Sequence, residues 1–177
     1  MQIILHQTHH QLADFDSIFC DLLETIKESS SCRQKTLHIY PESYLTGYPL
    51  QDLVLQQEFI QNYMKSFEQL NQKIKELPTN DNVLFLVGGM KYHLDEDNRS
   101  VLKIENVIYR IDSGIGLINI YSKRLLPNYD IFDEKKYYSP GNEIGTLNFA
   151  NKKMALLICE DMWFSSAHEQ DPVSDLS

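Results

Sequence analysis

Basic residues are scarce in this chain: 16 Lys and Arg stand against 25 Asp and Glu, a formal net charge of −9. An acidic surface repels phosphate backbones, so neither nucleic acid nor an anionic membrane is expected as a partner. The lysine pairs at 135–136 and 152–153 are too short for basic patches and read as solvated turns. Cysteine is sparse as well. Three of them, without ligand spacing, make neither a disulfide framework nor a zinc site. No apolar run approaches the ~20 residues that span a bilayer, and Met1–His6 lacks the basic-then-apolar plan of a signal peptide. A cytoplasmic protein with reduced thiols is expected. A Gly-rich phosphate loop, internal repeats and low-complexity tracts are all missing, and no cofactor or metal is expected.

What is present suits one globular domain: 177 residues, 42% hydrophobic and 23% charged. Residues 2–7 read as a first strand with Ile3, Ile4 and Leu5 as a buried centre. His6, His9 and His10 lack carboxylate or cysteine companions at ligand spacing and read as a strand end and loop. From Asp14, a cap, to Ser29 the pattern is helical, with Phe15, Ile18, Phe19, Leu22, Leu23 and Ile26 on one stripe. Cys20 borders that stripe as a packing residue, and Cys32 lies in a connector. Leu37–Tyr40 is a second strand, and the strand–helix–strand order favours parallel pairing.

A second helix is expected over Leu55–Leu77, with Phe59, Tyr63, Phe67, Leu70 and Ile74 inward and a stop at Pro78-Thr79-Asn80-Asp81. Val83–Val87 is an apolar strand followed by Gly88-Gly89, which permits close backbone packing. Lys91–Ser100 reads as a polar surface loop. Val107–Ile111 and Ile115–Tyr121 form a hairpin about Asp112-Ser113-Gly114. A second hairpin runs Gly145–Ala150, a turn at Asn151-Lys152, then Lys153–Ile158.

Chemistry concentrates at three strand exits. Met154–Ile158 is an apolar run, read as a buried strand, that stops at Cys159-Glu160-Asp161-Met162-Trp163. Taken singly, such a cysteine is more often a small buried hydrophobe. Glu42 leaves the second strand in Tyr40-Pro41-Glu42-Ser43, and Lys123 leaves a later one in Tyr121-Ser122-Lys123-Arg124. Together the three can act: a carboxylate takes the thiol proton, and an ammonium and the Glu160 backbone N–H steady an oxyanion. These parts suit attack on an amide or nitrile carbon through an acyl-thioester.

The segments PESYLTGYPLQDL (41–53), YSKRLLPNYDIFDEKKYYSPGN (121–142) and LLICEDMW (156–163) resemble the nitrilase, or carbon–nitrogen hydrolase, superfamily. Within it they are most similar to the glutaminase domains of glutamine-dependent NAD synthetases, over residues 1–163. The resemblance implies an α/β fold, a nitrilase-type α-β-β-α sandwich. It implies Glu42 as general base, Lys123 as oxyanion-stabilising lysine and Cys159 as nucleophile, with Glu134 as a supporting carboxylate. Tyr48 and Tyr129 match tyrosines that line the glutamine pocket. Leu125 stands where the family commonly has histidine, and Asp130 where it commonly has glycine.

Family domains continue well beyond the cysteine. The expectation is therefore an incomplete sandwich over 1–163, running through the nucleophile bend, followed by a polar tail over 164–177. The final hairpin would lack the neighbours it normally packs against, and the apolar face or strand edge left exposed would make the chain a homo-oligomer in which a second copy covers it. Three functions follow from the resemblance: a glutamine amidohydrolase whose ammonia can feed a separately encoded synthetase; a catalytically impaired half-domain serving in assembly or regulation; or a hydrolase of another amide or nitrile whose pocket the oligomer completes.

Overall fold

The computed structural model describes residues 1–78, 80–97, 100–112, 114–163 and 170–176. Its centre is a five-stranded sheet in the order β1 (Gln2–Leu5), β2 (Thr36–Ile39), β3 (Val83–Leu94), β4 (Val101–Asp112), β5 (Gly116–Ser122). The first three strands are parallel, and β3, β4 and β5 follow one another antiparallel. A two-stranded hairpin, β6 (Thr146–Phe149) and β7 (Lys152–Ala155), forms a second sheet.

Period-two alternation along β3 sorts the core into two faces. Phe85 and Val87, with Tyr109 and Ile111 of β4, face two helices, α1 (Phe15–Ser29) and α2 (Gln57–Lys75). Leu84 and Leu86, with Leu37 of β2, face Leu147, Leu156 and Ile158. The layers are thus helix, sheet and hairpin. In α1 the expected stripe from Phe15 to Ile26 is buried, and the Asp14 carboxylate caps it by accepting the Ser17 N–H at 3.3 Å. In α2, Tyr63 is 1% exposed; its hydroxyl donates to the Met90 carbonyl at 2.7 Å, which satisfies the side chain's own polar group.

Several expectations fail. Ile3 and Leu5 are 52% and 69% exposed, because β1 is an edge strand and the hairpin layer does not reach across it. The stretch read as a loop over Lys91–Ser100 is strand as far as Leu94, and β4 begins at Val101, six residues before the expected start. Charged side chains in 91–105 alternate with Tyr92 and Ile104, both buried, a pattern that suits a half-buried hairpin as well as a loop. Met154–Ile158 is not a buried strand. Its ladder ends at Ala155, which is exposed, and only Leu156 and Ile158 are buried. The turn before it falls at Ala150 and Asn151, both with positive φ (50° and 60°), as a tight hairpin connection requires.

A 3-10 turn, Gln51–Leu55, precedes α2, which starts at Gln57 and ends at Lys75; Phe67 is only partly buried in it. Cys20 is exposed, not a packing residue. Thr79 in the helix stop and Ser113 in the hairpin turn lie outside the described residues, as do 164–169 and Ser177 of the C-terminal stretch. Within that stretch, residues 170–176 fold back. Gln170 Oε1 and Asp175 Oδ2 accept from Arg124 at 2.7 and 2.6 Å, and Pro172 is buried. No helix among the described residues is long and apolar enough to cross a membrane.

Candidate active site

Glu42 is placed by a glycine. The backbone beyond β2 stays bound to β3: Tyr40 N–H donates to Leu86 O at 2.9 Å and Leu45 N–H to Gly88 O at 3.0 Å. Between those bonds the chain crosses directly over Gly88. A Cβ there would lie 2.3 Å from Pro41 O and 2.8 Å from Glu42 Cα, so only glycine leaves room. Ser43 completes the bend with φ +54°. Glu42 Oε1 then accepts twice, from Lys123 Nζ and from Asn106 Nδ2, both at 2.7 Å.

Lys123 follows the last residue of β5. Its N–H donates to Asn106 O and its carbonyl accepts from Gly141 N–H, each at 2.8 Å. The side chain is 0% exposed and makes two ion pairs, with Glu42 Oε1 at 2.7 Å and Glu134 Oε2 at 2.9 Å. A buried ammonium is costly unless paired. Burial alone would pull the Lys123 pKa down; Glu42 and Glu134 outweigh it and hold the pKa above the ordinary lysine value. Glu134 is 4% exposed, and burial pushes its carboxyl up against the opposing charge of Lys123. It also accepts the Tyr48 hydroxyl at 3.2 Å.

Cys159 is exposed and has φ +45°, a left-handed conformation that costs a non-glycine residue about 1 kcal/mol or more. It opens a 3-10 turn, Cys159–Met162. The turn is held by Asp161, which is 0% exposed. Asp161 Oδ2 accepts the Ile158 N–H at 3.0 Å and the Tyr121 hydroxyl at 2.8 Å. Its Oδ1 accepts the N–H groups of Arg124 at 3.1 Å and Leu125 at 2.7 Å. One carboxylate thus pins the cysteine bend to the strand exit that carries Lys123. Burial raises the Cys159 pKa, and the negative charge of Glu42 adds to it, while Lys123 opposes in part. On balance these influences favour the protonated sulfur.

Glu42 and Cys159 line one cavity of about 280 Å³ with Leu86, Ile108, Met154 and Ile158. The structure brings together Glu42, Lys123, Glu134 and Tyr48 by direct bonds, and sets Cys159 within the field of the three charged groups. Tyr129 pairs with Glu160 instead, donating to its Oε2 at 2.8 Å, so that the Glu160 side chain is engaged as well as its position after the cysteine. Asp130, where the resembled family commonly has glycine, has φ +51°, a conformation Asp tolerates better than most residues. Asn106 and Asp161 escaped the sequence reading. Asn106 lies in a strand of mixed polar and apolar residues that offered no signal, and for Asp161 the available signal was its place as the second carboxylate after Cys159.

The carbon-nitrogen hydrolase family model matches residues 4–167. The chain is 29% identical over 163 residues to a glutamine-dependent NAD(+) synthetase of Thermotoga maritima, covering 92% of this chain and 26% of that protein. It is 30% identical over 162 residues to the synthetase of Acinetobacter baylyi, covering 92% and 27%. The chain thus spans about a quarter of the length of these relatives. Among solved structures, a glutamine-dependent NAD+ synthetase from Acinetobacter baumannii in complex with ADP superposes with a TM-score of 0.73 at 26% identity, over 98% of this chain and 29% of that one. A mutant amidase from Nesterenkonia sp. AN1, with acrylamide added at its active-site cysteine, shares the fold at a TM-score of 0.65 and 15% identity, over 93% and 59%.

Proposed function

The chain belongs to the carbon-nitrogen hydrolase family, and on that premise we propose that it is a thiol-dependent amidohydrolase that converts glutamine to glutamate and ammonia. The observation that carries the reading is the fully buried Lys123 ammonium held between Glu42 and Glu134, in the field of an exposed cysteine on a strained bend. Such a buried cation has no need to be there for packing; its charge suits an oxyanion. Glutamine is the substrate proposed because the relatives at 29% and 30% identity are glutamine-dependent synthetases.

The chemistry runs in two halves. Glu42 takes the Cys159 Sγ proton as sulfur attacks the amide carbon; the C–S bond forms and the carbonyl electrons move to oxygen. Lys123 Nζ and the Glu160 N–H stabilise that oxyanion. The intermediate collapses with cleavage of the C–N bond, the nitrogen leaves as ammonia with the proton from Glu42, and a thioester remains. Water then gives its proton to Glu42 and attacks the thioester; the proton returns to sulfur as glutamate leaves. The raised Cys159 pKa supports base-assisted attack over a preformed thiolate. Glu134 keeps Lys123 charged and oriented when Glu42 is protonated.

The test is glutamate release from L-glutamine by the purified chain, with Cys159→Ala as control. Release that vanishes in the variant is expected. Folded protein that releases none would move the reading to the same motifs kept for assembly or regulation, and release from simple primary amides alone would replace glutamine as the substrate.

A further inference from the structure

Glu42 has two carboxylate oxygens, and they are not equivalent. Oε1 accepts from both Lys123 Nζ and Asn106 Nδ2 at 2.7 Å, which occupies both of its lone-pair directions. Only Oε2 is left to take a proton. The Glu42 side chain is 24% exposed, so burial does not fix its rotation. A single bond to Lys123 would leave the carboxylate free to turn about that contact, whereas two donors on one oxygen define its plane.

Asn106 is built for that task. It is 1% exposed on β4, opposite Met90 of β3. Its main-chain carbonyl accepts the Lys123 N–H at 2.8 Å, so one residue sets the spacing of lysine and glutamate together. Its side-chain Oδ1 is buried without a hydrogen-bond partner among the described residues. Leaving a buried acceptor unpaired is costly, and a fold has no reason to carry that cost at a position where an apolar side chain would pack. A carboxamide is also the neutral choice. It donates to the carboxylate without competing with Lys123 for its charge, and without the repulsion a second carboxylate would bring.

We propose that Asn106 is the positioning residue that reserves Glu42 Oε2 as the proton-accepting oxygen for Cys159. The inference rests on the reading of Glu42 as base and specifies how that base is aimed. Misorientation of a reacting group by ~1 Å costs about a hundredfold in rate.

The experiment follows kcat/KM for glutamate release from L-glutamine at pH 7, with circular dichroism of each sample as the folding reference. The full chain is compared with Glu42→Gln, Asn106→Leu, Asn106→Asp and the Glu42→Gln/Asn106→Leu double variant. Glu42→Gln is expected to slow release about a hundredfold and each Asn106 variant at least about tenfold, with the circular dichroism unchanged. The double variant is expected to be no slower than Glu42→Gln alone, because Asn106 acts only through Glu42. A merely structural Asn106 would slow the double variant further, and that result overturns the proposal. Normal glutamate release in the Asn106 variants beside a slow Glu42→Gln also overturns it while leaving Glu42 as base. A Glu42→Gln rate equal to that of the unaltered chain removes the base reading and the proposal together. Failure of both single Asn106 variants to fold would assign the residue to stability and overturn the proposal as well.

Discussion

Asp161 Oδ1 accepts the Leu125 N–H at 2.7 Å, so the carboxylate two residues after Cys159 anchors the main chain two residues after Lys123. Cys159 and Lys123 are therefore coupled through the backbone. Replacing Asp161 with Ala would strand the N–H groups of Ile158, Arg124 and Leu125 and the Tyr121 hydroxyl, all buried. With about 1–3 kcal/mol for each unpaired buried donor, a loss of roughly 4 kcal/mol or more is expected. Urea unfolding should show it, and Asp161→Asn, which keeps the Oδ1 acceptor, should lose less. A midpoint for Asp161→Ala equal to that of the unaltered chain would remove the staple from the account.

Gly88 faces the bend that carries Glu42. Gly88→Ala sets a Cβ 2.3 Å from Pro41 O, and no side-chain rotation relieves a clash with backbone. The Pro41–Ser43 segment must move, and glutamate release should fall at least about a hundredfold. Circular dichroism on the same sample separates that displacement from unfolding. Full activity in the variant would mean that the close crossing does not set the Glu42 position.

The histidines near the N-terminus have a structural role with a pH signature. His6 Nε2 lies 2.9 Å from His38 Nδ1, and the His38 ring stacks on Phe85 at 4.5 Å. Burial, and then the neighbouring His6, bring the His38 pKa down to about 4. An unfolded histidine titrates near 6.5. Between these values the unfolded chain binds the extra proton, so stability is highest above about pH 6.5 and falls as pH drops toward 4. The loss attributable to His38 is on the order of 3 kcal/mol across that window. Urea midpoints at pH 7.5 and 5 should therefore differ less in His38→Phe than in the unaltered chain; an identical difference would remove His38 as the cause.

Ile3 and Leu5, on the outer edge strand, expose apolar side chains beside an open row of backbone groups. Such an edge favours pairing with another copy. Sedimentation velocity at tens of micromolar should show self-association that Leu5→Lys reduces. A monodisperse monomer before substitution would refute the homo-oligomer.

Much of this was legible in the primary structure because it is local. The α1 stripe and its Asp14 cap, the parallel strand–helix–strand start, and the strand exits before Glu42 and Lys123 all follow from periodicity and turn residues a few positions apart. The misreadings came where exposure depends on what lies across a layer. Ile3 and Leu5 look like a buried strand until their edge position is known. Lys91–Leu94 looks like a loop until Val101–Glu105 of β4 pairs with it.

By itself the sequence pointed to the side chains proposed for the chemistry: Glu42, Lys123 and Cys159 each follow an apolar strand-like run, and Glu134 enters only through the resemblance to the nitrilase superfamily. Only the tertiary structure decided how they are held. It alone set Lys123 between Glu42 and Glu134, turned Asn106 onto Glu42 from 64 residues away, and tied Asp161 to Arg124 from 37 residues away. Those contacts are fixed by hydrogen-bond geometry and the cost of burying unpaired polar groups, and that cost is incurred only once distant segments meet in the absence of water.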